Sequence, residues 1–297
     1  MKLKSILFAL TIVTALFGKS QAQNIQVIDS KPLKLTIYNG PENSLDFSSV
    51  IVSGQKEAIL IDAQFTLPDA EKVAAELKKS GKKLKAIYIS HGDPDFYFGL
   101  EVFRKYYPKV PVYATAQTLA HIKATAKGKL AVWAPQLKSA APTTVVFPEA
   151  LKTNYLELEG KKLEILHTAA SPERSFVWIP SIRTVAGGIN VFGNNIHVWL
   201  ADDATAAKRA AWVAVLDKIS SLKPNIVIPS HFGPGAALNL TSVAYTKQYI
   251  LAYEKELAKE KTSAGLISAM KKLYPTAKSI MSLELGAKVN TGEMQWH

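Results

Sequence analysis

The sequence predicts an α/β fold in a single domain, on three observations. Strand-like and helix-like segments alternate from residue 33 onward. Two short, strongly apolar strands, one in each half of the chain, end in the same dipeptide, Ser90-His91 and Ser230-His231. No stretch is rich enough in Gly, Pro or Ser to act as a linker between domains.

The elements follow in order. Residues 33–38 read as a leading strand. Runs at 48–52 and 58–62 are β-rich and separated by Gly54-Gln55-Lys56-Glu57, the pattern of a hairpin. Pro68 opens a helix that carries Val73, Ala74 and Leu77 on one face, and Gly81 closes it. Residues 84–89 form a continuous apolar strand of the kind buried on both faces of a sheet. A polar loop, a helix over about 100–107 and a short strand at 111–114 come next. The stretch 123–148 is expected to include a loop over the site. In the second half, 162–166, 176–179 and 184–186 read as strands. Residues 206–222 form an amphipathic helix with Trp212, Val215, Leu216 and Ile219 on its buried side. A strand at 226–229 and helices at 245–259 and 264–273 complete the chain.

The first residues carry a different signal. Lys2 and Lys4 precede an apolar run over 6–17, and Lys19-Ser20-Gln21-Ala22 follows. A charged start, a short apolar core and small residues at a cleavage point describe a secretory signal peptide. The run falls short of the ~20 residues a spanning helix needs. We therefore expect residues 1–22 to be a leader cleaved after Ala22, and 23–297 to be one exported domain, periplasmic or secreted, without a membrane span. The absence of cysteine excludes thiolate metal sites, disulfides and Cys nucleophiles. The formal charge is +12, but the lysines are scattered in pairs such as Lys78-Lys79 and Lys271-Lys272, without interleaved aromatics. That distribution describes a solvated surface, and no nucleic-acid partner is expected.

Candidate chemistry concentrates in Ser90-His91-Gly92-Asp93-Pro94-Asp95-Phe96-Tyr97-Phe98-Gly99. His91, Asp93 and Asp95 alternate, so in an extended segment they project to one side and can share an ion. The strand before them ends where sites form in α/β architectures. His121 and His297 have no companions in the sequence that suggest a role.

This loop and its surroundings resemble the metallo-β-lactamase superfamily, whose motif is H-x-H-x-D-H after a strand. The likeness extends to the hairpin ending in Asp62, the helix after it, and the strand before Ser230-His231-Phe232-Gly233. The resemblance implies an αββα sandwich of two mixed sheets flanked by helices. It also implies a ligand set. His91 matches the first His, Asp93 stands at the second, Asp95 matches the motif Asp, and Phe96 replaces the third His. His167 matches the next ligand, with Ser171 in that role if the register shifts by four. Gly188 stands where an Asp bridges two ions, and His231 matches the last His. What remains suits one divalent metal, Zn²⁺ or alternatively Fe²⁺ or Mn²⁺, held by His91, Asp93 and His167 with Asp95 and His231 nearby. Asp95 would orient the attacking water or accept its proton. Tyr97 and Phe98 are expected to wall the pocket, and His197 to support it. The leading expectation is hydrolysis of a small ester, lactone or amide by a single metal-bound hydroxide. The alternatives are a non-catalytic binding protein for a small molecule and a mononuclear iron oxygenase.

Overall fold

Strands whose residues are apolar on both sides need cover on both faces, and this chain supplies it with a second sheet and with helices. The computed structural model describes residues 24–296; the expected leader, its cleavage point and His297 lie outside them. The first half runs β1 (Ile25–Ser30), β2 (Leu33–Asn39), β3 (Ser48–Ser53), β4 (Glu57–Ile61), α1 (Leu67–Ser80), β5 (Lys83–Ile89), α2 (Pro94–Tyr97), α3 (Leu100–Tyr106), β6 (Val112–Ala114), α4 (Ala116–Leu137) and β7 (Glu149–Ala150). The second runs β8 (Tyr155–Leu158), β9 (Lys161–Thr168), β10 (Ser171–Ile179), β11 (Thr184–Ala186), α5 (Ala206–Ser221), β12 (Ile226–Val227), α6 (Leu240–Leu257), α7 (Ser263–Leu273) and α8 (Ile280–Asn290).

Strands β1 to β7 form one sheet in sequence order, antiparallel up to β4 and parallel from β4 to β7. The second sheet has the order β12-β11-β10-β9-β8, with only β11 and β12 parallel. Both sheets are mixed, as the family resemblance implies. Period-two alternation divides their side chains into layers. Leu35, Ile37, Val50, Val52, Ile59 and Ile61 meet Leu158, Leu163, Ile165, Val177 and Ile179 between the sheets. Ile51, Leu60, Ile87 and Ile89 point the other way, into the layer that holds Val73, Leu77 and Phe103. On the second sheet, Phe176 and Trp178 belong to the same outer layer as Trp212, Val215, Leu216 and Ile219 of α5. Trp212 is fully buried, donates its indole N–H to the Asn190 carbonyl at 2.9 Å, and stacks under the Arg174 guanidinium at 3.9 Å.

Local signals account for most boundaries. The Thr66 hydroxyl caps α1 by accepting from the Asp69 N–H, and Gly81 ends it at φ +66°. The β3–β4 hairpin forms where the Gly54–Glu57 segment places it. Strand β8, which the sequence reading passes over, pairs with β9 through Glu159 and Gly160, both at positive φ, the geometry that matches sheet twist in a two-residue hairpin. The expectation of a loop within 123–148 is corrected in its first half. Thr115 caps a helix that continues to Leu137, through a run rich in the good helix formers Ala, Lys, Gln and Leu. Only Thr118, Ile122 and Ala126 of that helix are buried, so it lacks the broad apolar stripe that marks a core-facing helix in sequence.

One buried hydrogen-bond set ties three strand ends together. Asp62, just past β4, accepts the Ser90 N–H at 2.7 Å and the Ser90 hydroxyl at 2.6 Å. The Ser90 oxygen in turn accepts the Gly188 N–H at 2.6 Å from the loop after β11. Burial pushes the Asp62 carboxyl up to about 8, against the two Ser90 hydrogen bonds and with help from the nearby Asp95 charge. The unfolded chain ionises this group from its ordinary value of 3.8, whereas the folded chain resists ionisation up to about 8. Its contribution to stability is therefore complete at low pH and is lost as pH rises across that window, by at most about 1.4 kcal/mol per pH unit. Asn at this position keeps an acceptor for the Ser90 N–H and does not titrate. Melting temperatures of Asp62→Asn and wild type across pH 4 to 8 should show a flatter profile in the variant; parallel profiles would mean that Asp62 does not titrate there.

Candidate functional site

The carboxyl ends of β5 and β12 deliver their Ser-His pairs to one edge of the sandwich. After β5, Ser90 is committed to Asp62, and the chain turns so that Asp93 becomes the N-cap of the short helix α2, with Pro94 in its first turn. The Asp93 side chain caps nothing in that helix, which leaves its carboxylate free to face outward from the turn. After β12, the Ser230 carbonyl accepts the Ser48 N–H at 2.8 Å, and His231 bridges to Phe47 and Phe192.

Two polar groups result, and they are separate. In the first, His91 Nε2 lies 3.3 Å from Asp93 Oδ2, while the Lys129 ammonium of α4 donates to Asp93 Oδ1. Lys129 Nζ is also 3.2 Å from His121 Nε2 and 3.3 Å from the Gly92 carbonyl. Burial alone would push the Asp93 carboxyl up, but His91 and Lys129 together hold it well below the usual carboxylate range. Burial and the Lys129 charge lower the His121 pKa, so this imidazole is neutral near physiological pH and its Nε2 accepts from the ammonium. In the second group, His231 Nε2 is 3.2 Å from Asp95 Oδ2, and its Nδ1 is 2.9 Å from the Leu45 carbonyl. Burial opposes a charge on His231, but Asp95 and the Leu45 carbonyl outweigh it and raise the pKa. The fully buried Phe96 ring stands between the groups, 5.2 Å from the His91 ring and 6.5 Å from the His231 ring, centroid to centroid.

Both groups open into a cavity of about 770 Å³. Its walls are largely aromatic and aliphatic, among them Phe65, Val132, Trp133, Phe192, Trp199 and Trp296. Helix α4 contributes Ala124, Thr125, Gly128, Lys129, Val132 and Trp133, residues whose spacing puts them on one helical face. The C-terminal residues cover another side: the Trp199 and Trp296 indole N–H groups both donate to Asp202, the latter at 2.8 Å.

The structure thus brings together His91 with Asp93, and Asp95 with His231, and leaves the other sequence candidates elsewhere. His167 is exposed on β9, its Nδ1 3.0 Å from the adjacent Thr168 carbonyl, and does not line the cavity. Ser171 is buried and donates to Glu173 instead. The expectation that Tyr97 and Phe98 wall the pocket is corrected: both are buried in the core beneath it. His197 is structural, buried with its Nδ1 2.9 Å from the Tyr249 hydroxyl, and burial with the Lys271 charge lowers its pKa to about 4. Two members of the site escaped the sequence reading, His121 and Lys129. Their separation of eight residues places them on one face of a helix, and that signal depended on recognising 116–137 as helical.

With this geometry in hand, comparison with known families is decisive. The sequence profile of the metallo-beta-lactamase superfamily matches residues 46–231. The chain belongs to that superfamily. Solved structures similar to it include a metallo-beta-lactamase from Pontibacter korlensis, at 18% identity and TM-score 0.52, covering 76% of this chain and 99% of that one. A beta-lactamase domain protein from Burkholderia ambifaria is similar at 14% identity and TM-score 0.62, covering 91% and 87%. The stereoselective inverting sec-alkylsulfatase Pisa1 from Pseudomonas sp. is similar at 16% identity and TM-score 0.59; 89% of this chain matches 50% of that one. At these identities the likeness establishes the fold. No curated protein sequence matches the chain.

Members of the metallo-beta-lactamase superfamily typically bind divalent metals such as zinc. Among the described residues, no three His, Asp or Glu side chains converge as a ligand set. The expected trio of His91, Asp93 and His167 does not assemble, because His167 points to solvent from β9. A divalent ion within about 4 Å of the Lys129 ammonium would meet repulsion on the order of 8 kcal/mol at an effective dielectric constant of about 20. The arrangement of side chains in this structure therefore does not fit a bound divalent ion. The backbone also excludes a bridging carboxylate at Gly188. That residue sits at φ +75°, and a Cβ there would lie 2.0 Å from the Ser175 carbonyl oxygen. Gly188→Asp should accordingly destabilise the fold by roughly 2–5 kcal/mol without adding a metal site. Chemical denaturation and elemental analysis check both parts; a variant of wild-type stability would show that the loop accepts a side chain.

Proposed function

We propose that this metallo-beta-lactamase superfamily member binds a drug-sized, predominantly apolar small molecule whose polar end is uncharged. The cavity carries the reading. Its volume of about 770 Å³ suits such a ligand, and among its polar lining residues Asp93, Lys129, Asp95 and His231 form ion pairs. Those groups are paired, Lys129 with Asp93 and His231 with Asp95, and the Asp95 carboxylate favours the charged form of His231. A charged ligand end would have to break one of these pairs, whereas an ester, lactone or amide carbonyl would not.

Hydrolysis of that ester, lactone or amide is a second reading, favoured by the two His–Asp pairs, His91 with Asp93 and His231 with Asp95, whose carboxylates line the cavity. Turnover supported by added Zn²⁺, Mn²⁺ or Fe²⁺ would establish it, and iron-dependent oxygen consumption would point instead to an oxygenase. Export is likewise our proposal, motivated by the charged start and short apolar run. N-terminal sequencing of protein recovered from its natural host should find a start near Gln23; Met1 intact in an exported fraction would rule out cleavage.

The binding reading is tested by quenching of Trp133, Trp199 and Trp296 fluorescence. Medium-chain esters and lactones should bind saturably, and the matching carboxylates and amines about tenfold or more weakly. Val132 is 55% exposed at the cavity wall, so Val132→Glu should leave folding intact and weaken ester binding by about tenfold. No saturable quenching, or quenching indifferent to Val132→Glu, would remove the cavity from consideration as the binding site.

A further inference from the structure

We propose that Lys129 is the built-in cation of this site, occupying among His91, Asp93 and His121 the place that a metal ion would otherwise take. This inference does not rest on the ligand reading above, since it concerns the polar floor and holds whatever fills the cavity.

Counting donors and acceptors supports it. A lysine ammonium has three N–H donors. Lys129 faces three acceptors: Asp93 Oδ1, His121 Nε2 at 3.2 Å and the Gly92 carbonyl at 3.3 Å. Its side chain is 16% exposed, so this is a largely buried cation with its hydrogen-bonding capacity fully used. His91 approaches the same carboxylate from the other oxygen, and the His91 and His121 rings lie 6.4 Å apart at an interplanar angle of 30°. One carboxylate, one imidazole and a backbone carbonyl therefore meet the ammonium, and a second imidazole, His91, holds the carboxylate's other oxygen; two imidazoles and a carboxylate are a donor set that suits Zn²⁺ or Fe²⁺ in chemistry if not in present geometry.

The chain is shaped for this contact. A Cβ on Gly92 would lie 2.4 Å from His121 Cδ2, so glycine lets α4 bring His121 and Lys129 down onto the loop. The ammonium neutralises Asp93 from a fixed helix. Unlike a bound ion, it cannot be removed by chelation. Taking Lys129 away removes the fixed ammonium from a buried carboxylate that has His91 on its other oxygen and His121 nearby, which is the condition that favours metal uptake.

The experiment uses the full chain. Wild type, Lys129→Met, Lys129→Arg and the double variant Lys129→Met/His121→Ala are stripped with chelator, reconstituted with excess Zn²⁺, desalted and analysed for metal. Melting is followed with and without Zn²⁺. Wild type and Lys129→Arg should retain no stoichiometric Zn²⁺ and show no Zn²⁺-dependent rise in melting temperature. Lys129→Met should bind Zn²⁺ roughly a hundredfold or more tightly than wild type and melt higher in its presence. The double variant should lose most of that gain. A tightly held, stoichiometric Zn²⁺ in the wild type overturns the proposal even if every variant fails to fold. So does a Lys129→Met protein that is folded by circular dichroism yet binds Zn²⁺ no better than wild type.

Discussion

The Asp62 carboxyl and Ser90 form the contact on which the placement of the site depends. Two loops leave the first sheet at this point, one after β4 and one after β5, and a third arrives after β11 from the second sheet. Without a shared partner, each would carry buried backbone N–H groups with nothing to donate to, at a cost of about 1–3 kcal/mol apiece. Asp62 takes the N–H and hydroxyl of Ser90, and Ser90 takes the N–H of Gly188. The three loops are thereby held in register, and His91 and Asp93 begin from a rigid origin. The left-handed backbone at Gly187 and Gly188 belongs to the same arrangement, because it lets the loop approach Ser90 and Ser175 closely.

Phe96 then divides what the strand ends bring together. An imidazole at that position would point a donor toward the space between His91 and His231. The phenyl ring instead packs edge-on against Phe47 at 4.6 Å and against His91, extending the apolar core up between the polar residues. With the bridge position closed by the Gly188 backbone, the polar residues pair locally. His91 and Asp93 turn toward α4, and Asp95 turns toward His231. Each pair is compensated in charge, so an apolar cavity can lie directly above them without a large uncompensated field at its floor.

Helix α4 links the floor to the walls. One face supplies His121 and Lys129 to the polar group, and its next turn supplies Val132 and Trp133 to the apolar wall. The residues that contact a ligand and the residue that neutralises Asp93 are therefore mounted on one rigid element. A substitution that tilts this helix would disturb both together.

The alternation of apolar strands with helices, the Ser-His strand ends and the Gly54 hairpin determined the α/β class from sequence, because hydrophobic periodicity and turn chemistry act locally, whereas the two mixed sheets were implied by the family resemblance. The same locality made His91, Asp93 and Asp95 legible as a cluster, since they are neighbours in one loop. His231 was legible because it ends a strand at the same edge. The partners of those residues were decided by tertiary structure. Lys129 reaches Asp93 across 36 residues and is joined there by His121 eight residues before it, on a helix with only Thr118, Ile122 and Ala126 buried and so no strong apolar stripe. His167 and Ser171 had suitable chemistry and strand-end positions, but β9 directs the one to solvent, and the other donates to Glu173 away from the cavity. Side-chain identity records what a residue can bind. Which charge it meets depends on the packing of distant elements, and here that packing set an ammonium against the carboxylate.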